Sequence, residues 1–205
     1  MVVDFRLYLI TDRKQTKLPL PEAVRMALEG GVKAIQVREK DLPVRDLLEL
    51  AGQMRRLTRE FGAKLFINDR VDVALAVEAD GVHLGRQSIP PEPVKSLVGS
   101  RMLVGVSTHT IDEARAAESG GADFITFGPV FFTPSKALFG QAVGLEYLKS
   151  AKKTINIPVF ALGGIKSGNI RQVLRYGADG VSMISAIFNA VDIREAAETV
   201  IREVS

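Results

Sequence analysis

Cationic and polar side chains follow several short apolar runs of this sequence, at the points where those runs end. Arg38, Lys40 and Lys136 are cations, and Asn68 and Asp69 lie between them along the chain. Arginine binds phosphate oxygens with a planar fork of donors, and lysine acts as a compact positive charge. A carboxylate next to an anion is favourable when a divalent cation bridges the two, as Mg²⁺ does with phosphate oxygens. The set therefore predicts a diphosphate site with bound Mg²⁺.

A solvated surface loop is the alternative interpretation of the charged run from Arg38 to Asp41, because most charge runs lie on the surface. This run begins at the end of the apolar segment Ala34–Arg38, which has the length and composition of a buried strand. We therefore favour a functional role for Arg38 and Lys40.

The elements that must position these residues repeat along the chain. Eight short apolar segments, rich in β-branched and aromatic residues, are predicted to be buried strands. The segments are Arg6–Asp12, Ala34–Arg38, Lys64–Asn68, Gly81–Gly85, Leu103–Ser107, Phe124–Gly128, Pro158–Leu162 and Gly180–Ile184.

Segments with helical periodicity separate these strands. Val44–Phe61 carries apolar residues three or four apart, which predicts one buried stripe. Thr110 and Glu113 have the spacing of a capping box and mark another helix start. Eight units of about 25 residues predict a single (β/α)₈ TIM barrel domain over residues 1–205. A doubly wound open sheet is the alternative, but a flavodoxin-type sheet needs only about five units.

In a barrel of this kind the active site lies at the carboxyl ends of the strands. Gly163 and Gly164 end the seventh strand, and Ser182 and Ser185 lie at the end of the eighth, where backbone N–H groups commonly bind phosphate. A tight turn explains the two glycines alone equally well. His83 lies within a strand, so it either contacts substrate or is an ordinary core histidine.

The composition excludes several classes of protein. The 205 residues include no Cys and two His, which excludes disulfide frameworks, thiolate metal sites and imidazole-rich metal sites. A net charge of +3 with interspersed signs does not suggest nucleic-acid binding. No apolar run approaches the roughly 18 residues of a membrane helix, and no signal peptide is apparent, so we expect a cytoplasmic protein without a membrane partner. The 18 glycines are predicted to lie at turns.

The sequence resembles the family of thiamine phosphate synthases and TenI-type thiazole tautomerases over nearly its whole length. The motifs that carry the resemblance are Tyr8-Leu-Ile-Thr-Asp12, Gln36-Val-Arg-Glu-Lys40, Ile67-Asn-Asp-Arg70, Asp80-Gly-Val-His-Leu-Gly85, Gly105-Val-Ser107, Gly128-Pro-Val130, Thr133-Pro-Ser-Lys136, Gly163-Gly-Ile165 and Gly180-Val-Ser-Met-Ile-Ser-Ala-Ile187.

The resemblance implies an enzyme that joins an aminopyrimidine-methyl diphosphate to hydroxyethylthiazole phosphate and releases diphosphate. It also implies Mg²⁺, bound by Asp69. The implied diphosphate contacts are Arg38, Lys40, Asn68 and Lys136. The implied pyrimidine contacts are Gln36, His83 and Ser107. The implied thiazole phosphate contacts are Thr133, Ser135, Gly164 and the backbone at Ile184 and Ser185.

Two positions depart from the family pattern. Ser88 stands where the synthases usually carry a second metal-binding Asp, and Pro129 stands where the tautomerases carry a catalytic His. A TenI-type tautomerase, which is an isomerase, and a non-catalytic protein that binds thiamine precursors therefore remain alternatives. The intact motif from Gln36 to Lys40 favours the synthase. Small barrels of this type often self-associate, which allows a homodimer.

Overall fold

The structure is a computed structural model that describes residues 2–133 and 142–205. Its strands are Leu7–Ile10 (β1), Ala34–Val37 (β2), Lys64–Asn68 (β3), Gly81–Leu84 (β4), Leu103–Thr108 (β5), Phe124–Phe127 (β6), Val159–Leu162 (β7) and Gly180–Met183 (β8). All neighbours pair in parallel, and β8 pairs with β1, so the sheet closes into a barrel. The predicted (β/α)₈ fold is confirmed.

Helices follow the strands along the described part of the chain. They are Leu20–Glu29 (α1), Val44–Glu60 (α2), Val71–Ala76 (α3), Pro91–Val98 (α4), Ile111–Ser119 (α5), Leu145–Thr154 (α6), Ile170–Arg175 (α7), Ser185–Phe188 (α8) and Ile193–Val204 (α9). The helix predicted from Val44 ends at Glu60, one residue before the predicted end. The helix start predicted at Thr110 is confirmed, because the Thr110 hydroxyl accepts a hydrogen bond from the Glu113 amide at 3.1 Å. The capping box is incomplete, because the Glu113 carboxylate accepts from the His109 amide at 2.7 Å and not from the Thr110 amide. No helix in the described residues has the length and apolar character needed to span a bilayer.

Side chains that point into the barrel form stacked layers, as the pairing register shows. The layer nearest the amino ends of the strands is Ala34, Gly81, Phe124 and Gly180. The middle layer is Tyr8, Phe66, Gly105 and Phe160. The next layer is Gln36, His83, Thr126 and Ser182, and beyond it Ile10, Asn68, Ser107 and Leu162 lie nearest the carboxyl ends. Phe5 closes the amino end, with its ring 5.2–5.8 Å from four aromatic rings of the barrel.

Three glycines lie inside these layers rather than at turns. A Cβ at Gly81 would approach the Phe66 ring to 2.4 Å, and a Cβ at Gly180 would approach the Phe160 ring to 2.6 Å. A Cβ at Gly105 would likewise approach the Phe124 ring to 2.4 Å. The prediction that the glycines mark turns was therefore wrong for these positions. In the interior of a narrow barrel, residues without a side chain leave the space that the large aromatic rings occupy.

Three aspartates at equivalent positions of the repeat link the amino ends of neighbouring strands. Asp80, Asp123 and Asp179 each precede an even-numbered strand and accept the amide of a residue in the preceding strand at 2.7–2.8 Å. Each carboxylate also pairs with a cation on a helix at 2.6–2.8 Å. The three pairs are Arg55–Asp80, Lys95–Asp123 and Lys152–Asp179. The repeated Ala-Asp phrase of the sequence therefore serves stability, at the end of the barrel opposite the predicted site.

Candidate active site

The most polar layer of the barrel lies at the carboxyl ends of the strands, where Gln36 and His83 are almost completely buried. The Gln36 amide nitrogen donates to the Tyr8 hydroxyl at 3.0 Å, and that hydroxyl lies 3.4 Å from His83 Nδ1. His83 Nε2 lies 2.9 Å from Ser107 Oγ. The three side chains predicted to contact a pyrimidine are therefore joined by hydrogen bonds, with Tyr8 as an additional member.

Burial lowers the pKa of His83 to about 3, although the charge of Asp69 opposes this shift. The positive charge of Arg38 lowers the pKa of His83 further, so the guanidinium acts on the interior of the barrel. His83 is therefore a neutral imidazole at physiological pH. Burial also raises the pKa of the Tyr8 hydroxyl, which stays protonated.

Arg38 and Lys40 follow β2 and are the predicted diphosphate contacts. Arg38 is half-buried and Lys40 is exposed. Neither side chain forms an ion pair with any residue of the ranges 2–133 and 142–205. Lys136 and Ser135, which were predicted to join this site, lie outside the described residues. The two described cations are thus available to an anion at the rim.

Asn68 is the last residue of β3, which pairs with β2 in the barrel, and Asp69 follows it. Asp69 has a φ of 60°, in the left-handed region that L-residues rarely adopt. Its Oδ2 accepts from Asn68 Nδ2 at 2.7 Å, and its Oδ1 accepts from the Gly85 amide at 3.2 Å. The Ser88 hydroxyl also donates to Oδ1. The carboxylate is therefore held in one orientation by the last residue of β3 and by two groups of the loop after β4. Its backbone strain is typical of functional sites.

The donors around Asp69 suit Mg²⁺. A carboxylate, the Asn68 amide oxygen and the Ser88 hydroxyl are hard oxygen ligands, and Mg²⁺ is bound through one or two carboxylates together with substrate phosphates. Among the described residues, Asp69 does not belong to any group of three or more acidic or histidine side chains. The residues present fit a metal that shares its coordination with a bound diphosphate.

The second predicted phosphate site combines the turns after β7 and β8. Gly163 and Gly164 have φ values of 95° and 66°, and a Cβ at Gly164 would lie 2.7 Å from that of Phe131. The Phe131 amide donates to the Gly163 carbonyl at 3.0 Å, so this turn is fixed against the loop after β6, which leads to Thr133. Two requirements, left-handed backbone and close packing, explain the glycine pair.

The turn after β8 contains the other predicted phosphate contacts. Ile184 precedes α8, and Ser185 is its exposed first residue. The Ile187 amide donates to the Ile184 carbonyl at 3.4 Å. The amides of Ser185 and Ala186 precede it at the start of the helix, where amides have no acceptor within the helix and are available to an anion. The structure places this turn beside the Gly163-Gly164 turn through the pairing of β7 with β8.

Sequence reasoning gave no role to two members of the site and placed a third only at a strand end. Tyr8 was part of a motif without a role, and Thr126 was not considered. Ser182 was noted at a strand end, and its buried hydroxyl has no hydrogen-bond partner among the described residues. Strict alternation along each strand, with hydrophobic neighbours facing the helices, is the signal that could have placed all three inside the barrel.

Comparisons with known proteins point in one direction. A family model described as thiamine monophosphate synthase matches residues 7–187. A protein of Geobacter sulfurreducens, provisionally named a thiamine-phosphate synthase, is 57% identical over 97% of this chain and 94% of its own length. The thiamine-phosphate synthase of Moorella thermoacetica is 48% identical over 91% of this chain and 88% of its own. The solved structure of thiamine phosphate pyrophosphorylase from Pyrococcus furiosus superposes with a TM-score of 0.89 at 44% identity, covering 97% and 95% of the two chains.

Proposed function

This chain belongs to the thiamine monophosphate synthase family, and we propose that it joins an aminopyrimidine-methyl diphosphate to hydroxyethylthiazole phosphate. The observation that carries the proposal is the position of Arg38 and Lys40, two cations without acidic partners in the described residues, beside a buried pocket of neutral polar groups. We further propose that residues 1–205 act as one domain in the cytoplasm, without nucleic-acid or membrane partners, and that a homodimer is compatible with this fold.

The reaction breaks the bond between the pyrimidine methylene carbon and the diphosphate oxygen, and the electron pair leaves with the diphosphate. The thiazole nitrogen then supplies its lone pair to the methylene carbon, so no proton has to move. Negative charge grows on the leaving group, and positive charge grows on the pyrimidine. Arg38 and Lys40 stabilise the negative charge that grows on the diphosphate, in the way that preorganised charge stabilises transition states. Lys136 and Asn68 are the remaining proposed diphosphate contacts.

The pocket is suited to the positive charge on the pyrimidine because its described side chains, Gln36, His83, Ser107 and Tyr8, are uncharged. His83 is neutral, with a pKa of about 3, and a protonated imidazole there would oppose the pyrimidine cation. Gln36, Ser107 and the Tyr8 hydroxyl offer hydrogen bonds to the pyrimidine. Closing this layer against water strengthens each of these interactions.

Mg²⁺ is the proposed cofactor, held by Asp69 with the diphosphate. Bound there, it would neutralise charge on the leaving oxygens as a Lewis acid. The chain's own contribution is to fix the Asp69 carboxylate through Asn68 and Gly85. The thiazole phosphate is assigned to the turns at Gly164, Ile184 and Ser185, together with Thr133 and Ser135.

Incubation of the purified protein with both substrates and Mg²⁺ tests the proposal, with thiamine phosphate measured by chromatography. We expect turnover that stops on addition of a chelator. The absence of thiamine phosphate at micromolar protein concentration would contradict the proposal.

A thiazole phosphate tautomerase is the second candidate, because Ser88 rather than a carboxylate contacts Asp69. Isomerisation of the thiazole precursor that continues in the presence of a chelator would support it. A protein without either activity whose melting temperature still rises with thiamine phosphate would instead be a binding protein.

A further inference from the structure

Glu39 lies between the two cations in sequence, yet only 2% of its side chain is exposed. Its carboxylate accepts a hydrogen bond from Thr11 Oγ1 at 2.7 Å and from the Arg13 amide at 3.2 Å to each oxygen. Arg13 Nη1 adds a charged contact at 3.1 Å. A carboxylate this buried is stable only with such a set of partners. Glu39 therefore faces the loop after β1 and not the predicted diphosphate site.

Thr11 connects Glu39 to the backbone of Arg38. Its hydroxyl donates to Glu39 and accepts from the Arg38 amide at 3.0 Å, and the residue is fully buried. The Thr11 amide also donates to the Gln36 carbonyl at 2.8 Å. The end of β1 thus fixes the backbone on both sides of Val37, where β2 ends.

The loop after β1 separates the two acids of the run Arg38-Glu39-Lys40-Asp41 from its two bases. Arg13 binds both oxygens of Asp41 at 2.6 and 2.9 Å, and Lys14 adds a contact at 2.7 Å. Both acids of the run are therefore neutralised by Arg13 and Lys14 in the loop after β1, although Asp41 is half-exposed. The two bases keep their positive charge for an external anion.

We propose that Glu39 is a positioning residue for the diphosphate-binding cations, acting through Thr11 and Arg13. It fixes the Arg38 backbone and directs its own negative charge away from the rim. The identity of the anion rests on the proposed function, whereas the positioning role does not.

The test measures the affinity for inorganic diphosphate by calorimetry with Mg²⁺, and the KM of each substrate. The variants are Glu39→Gln, which brings an amide NH₂ group against the Arg13 donors, and the pair Thr11→Val and Thr11→Ser. The valine removes the bridging hydroxyl without changing the shape, and the serine restores it. Asp41→Asn is the matched control, since it weakens the exposed ion pair and leaves the buried contacts.

We expect Glu39→Gln and Thr11→Val each to weaken diphosphate binding about tenfold or more, the usual consequence of unpaired buried groups. Thr11→Ser and Asp41→Asn are expected to stay within about threefold of the parent, and the KM for thiazole phosphate within about twofold. If Glu39→Gln fails to fold, the two Thr11 variants decide the question.

Unchanged diphosphate affinity in Thr11→Val, or an equal loss in Thr11→Val and Thr11→Ser, would overturn the positioning role. Equal changes in both substrate KM values would also overturn it, because they indicate a general loss of structure. If the parent protein makes no thiamine phosphate, the proposed function fails, and the diphosphate affinities alone still decide the role of Glu39.

Discussion

Tyr8 and His83, 75 positions apart, lie against each other in the barrel, with ring centroids 5.5 Å apart and the hydroxyl 3.4 Å from Nδ1. The tyrosine oxygen accepts a hydrogen bond from the Gln36 amide at 3.0 Å. On the other side of the imidazole ring, Nε2 lies 2.9 Å from Ser107 Oγ. A chain of hydrogen bonds thus holds both nitrogens of the neutral imidazole ring.

The depressed pKa of His83 makes stability depend on pH. The unfolded chain takes up a proton near pH 6.5, whereas folded His83 does so only near pH 3. The contribution of His83 to the free energy of unfolding is fully present above about pH 6.5. It falls as the pH drops toward 3, by up to about 1.4 kcal/mol per pH unit. Urea denaturation between pH 7 and 4 measures the slope.

His83→Gln is the control for that slope, because other carboxylates also titrate in acid. We expect the variant to lose less stability per pH unit than the parent, whatever its stability at pH 7. Identical slopes would show that His83 takes up protons normally in the folded state.

Gly105→Ala is expected to destabilise the barrel by about 1–3 kcal/mol, because the new methyl group overpacks the interior. Its Cβ would lie 2.4 Å from the Phe124 ring and 2.6 Å from His83 Nδ1. Gly168→Ala should change stability by less than about 0.5 kcal/mol, because a Cβ there meets no other atom of the described residues within 4 Å, its chain neighbours aside. Urea denaturation of both variants compares them, and equal effects would refute the packing explanation.

Lys40→Ala is expected to lower kcat/KM for the pyrimidine diphosphate by about 100-fold, the usual loss when one preorganised group that stabilises transition-state charge is removed. Because Lys40 is exposed, the melting temperature should remain unchanged. Steady-state kinetics with each substrate varied separately provides the measurement. A selective effect on the thiazole phosphate KM would mean that Lys40 binds the other phosphate.

Ser88→Asp is expected to lower the Mg²⁺ concentration that gives half-maximal activity, since it places a second carboxylate beside Asp69. Ser88→Ala, which removes only the hydroxyl donated to Asp69, is the control. A Mg²⁺ titration of all three proteins compares them. An unchanged requirement in Ser88→Asp would indicate that another group already supplies this ligand.

Asp123→Ala should cost about 1–3 kcal/mol, because it leaves the Val104 amide without its acceptor and Lys95 without its partner. Asp123→Asn keeps an oxygen for the amide and should cost less. Denaturant titrations of the two variants rank them. Equal losses would mean that the ion pair, and not the amide, carries the stabilisation.

The sequence by itself determined the eight strands, the barrel they form and the end at which the site lies. These features are local or follow from chain order, since a short apolar segment such as Ala34–Val37 can be read without knowing its neighbours. The cations Arg38 and Lys40 were placed for the same reason, because they directly follow a strand.

The tertiary structure decided which side chains face each other. Glu39 belongs to the same charged run as Arg38, yet its partners are Thr11 and Arg13, and only the pairing of β1 with β2 brings them together. The pocket of Tyr8 and His83 depends on register in the same way, because shifting a strand by one residue would turn its side chains to the other face. Contacts across strands are not encoded in local spacing, so they appear only when the barrel closes.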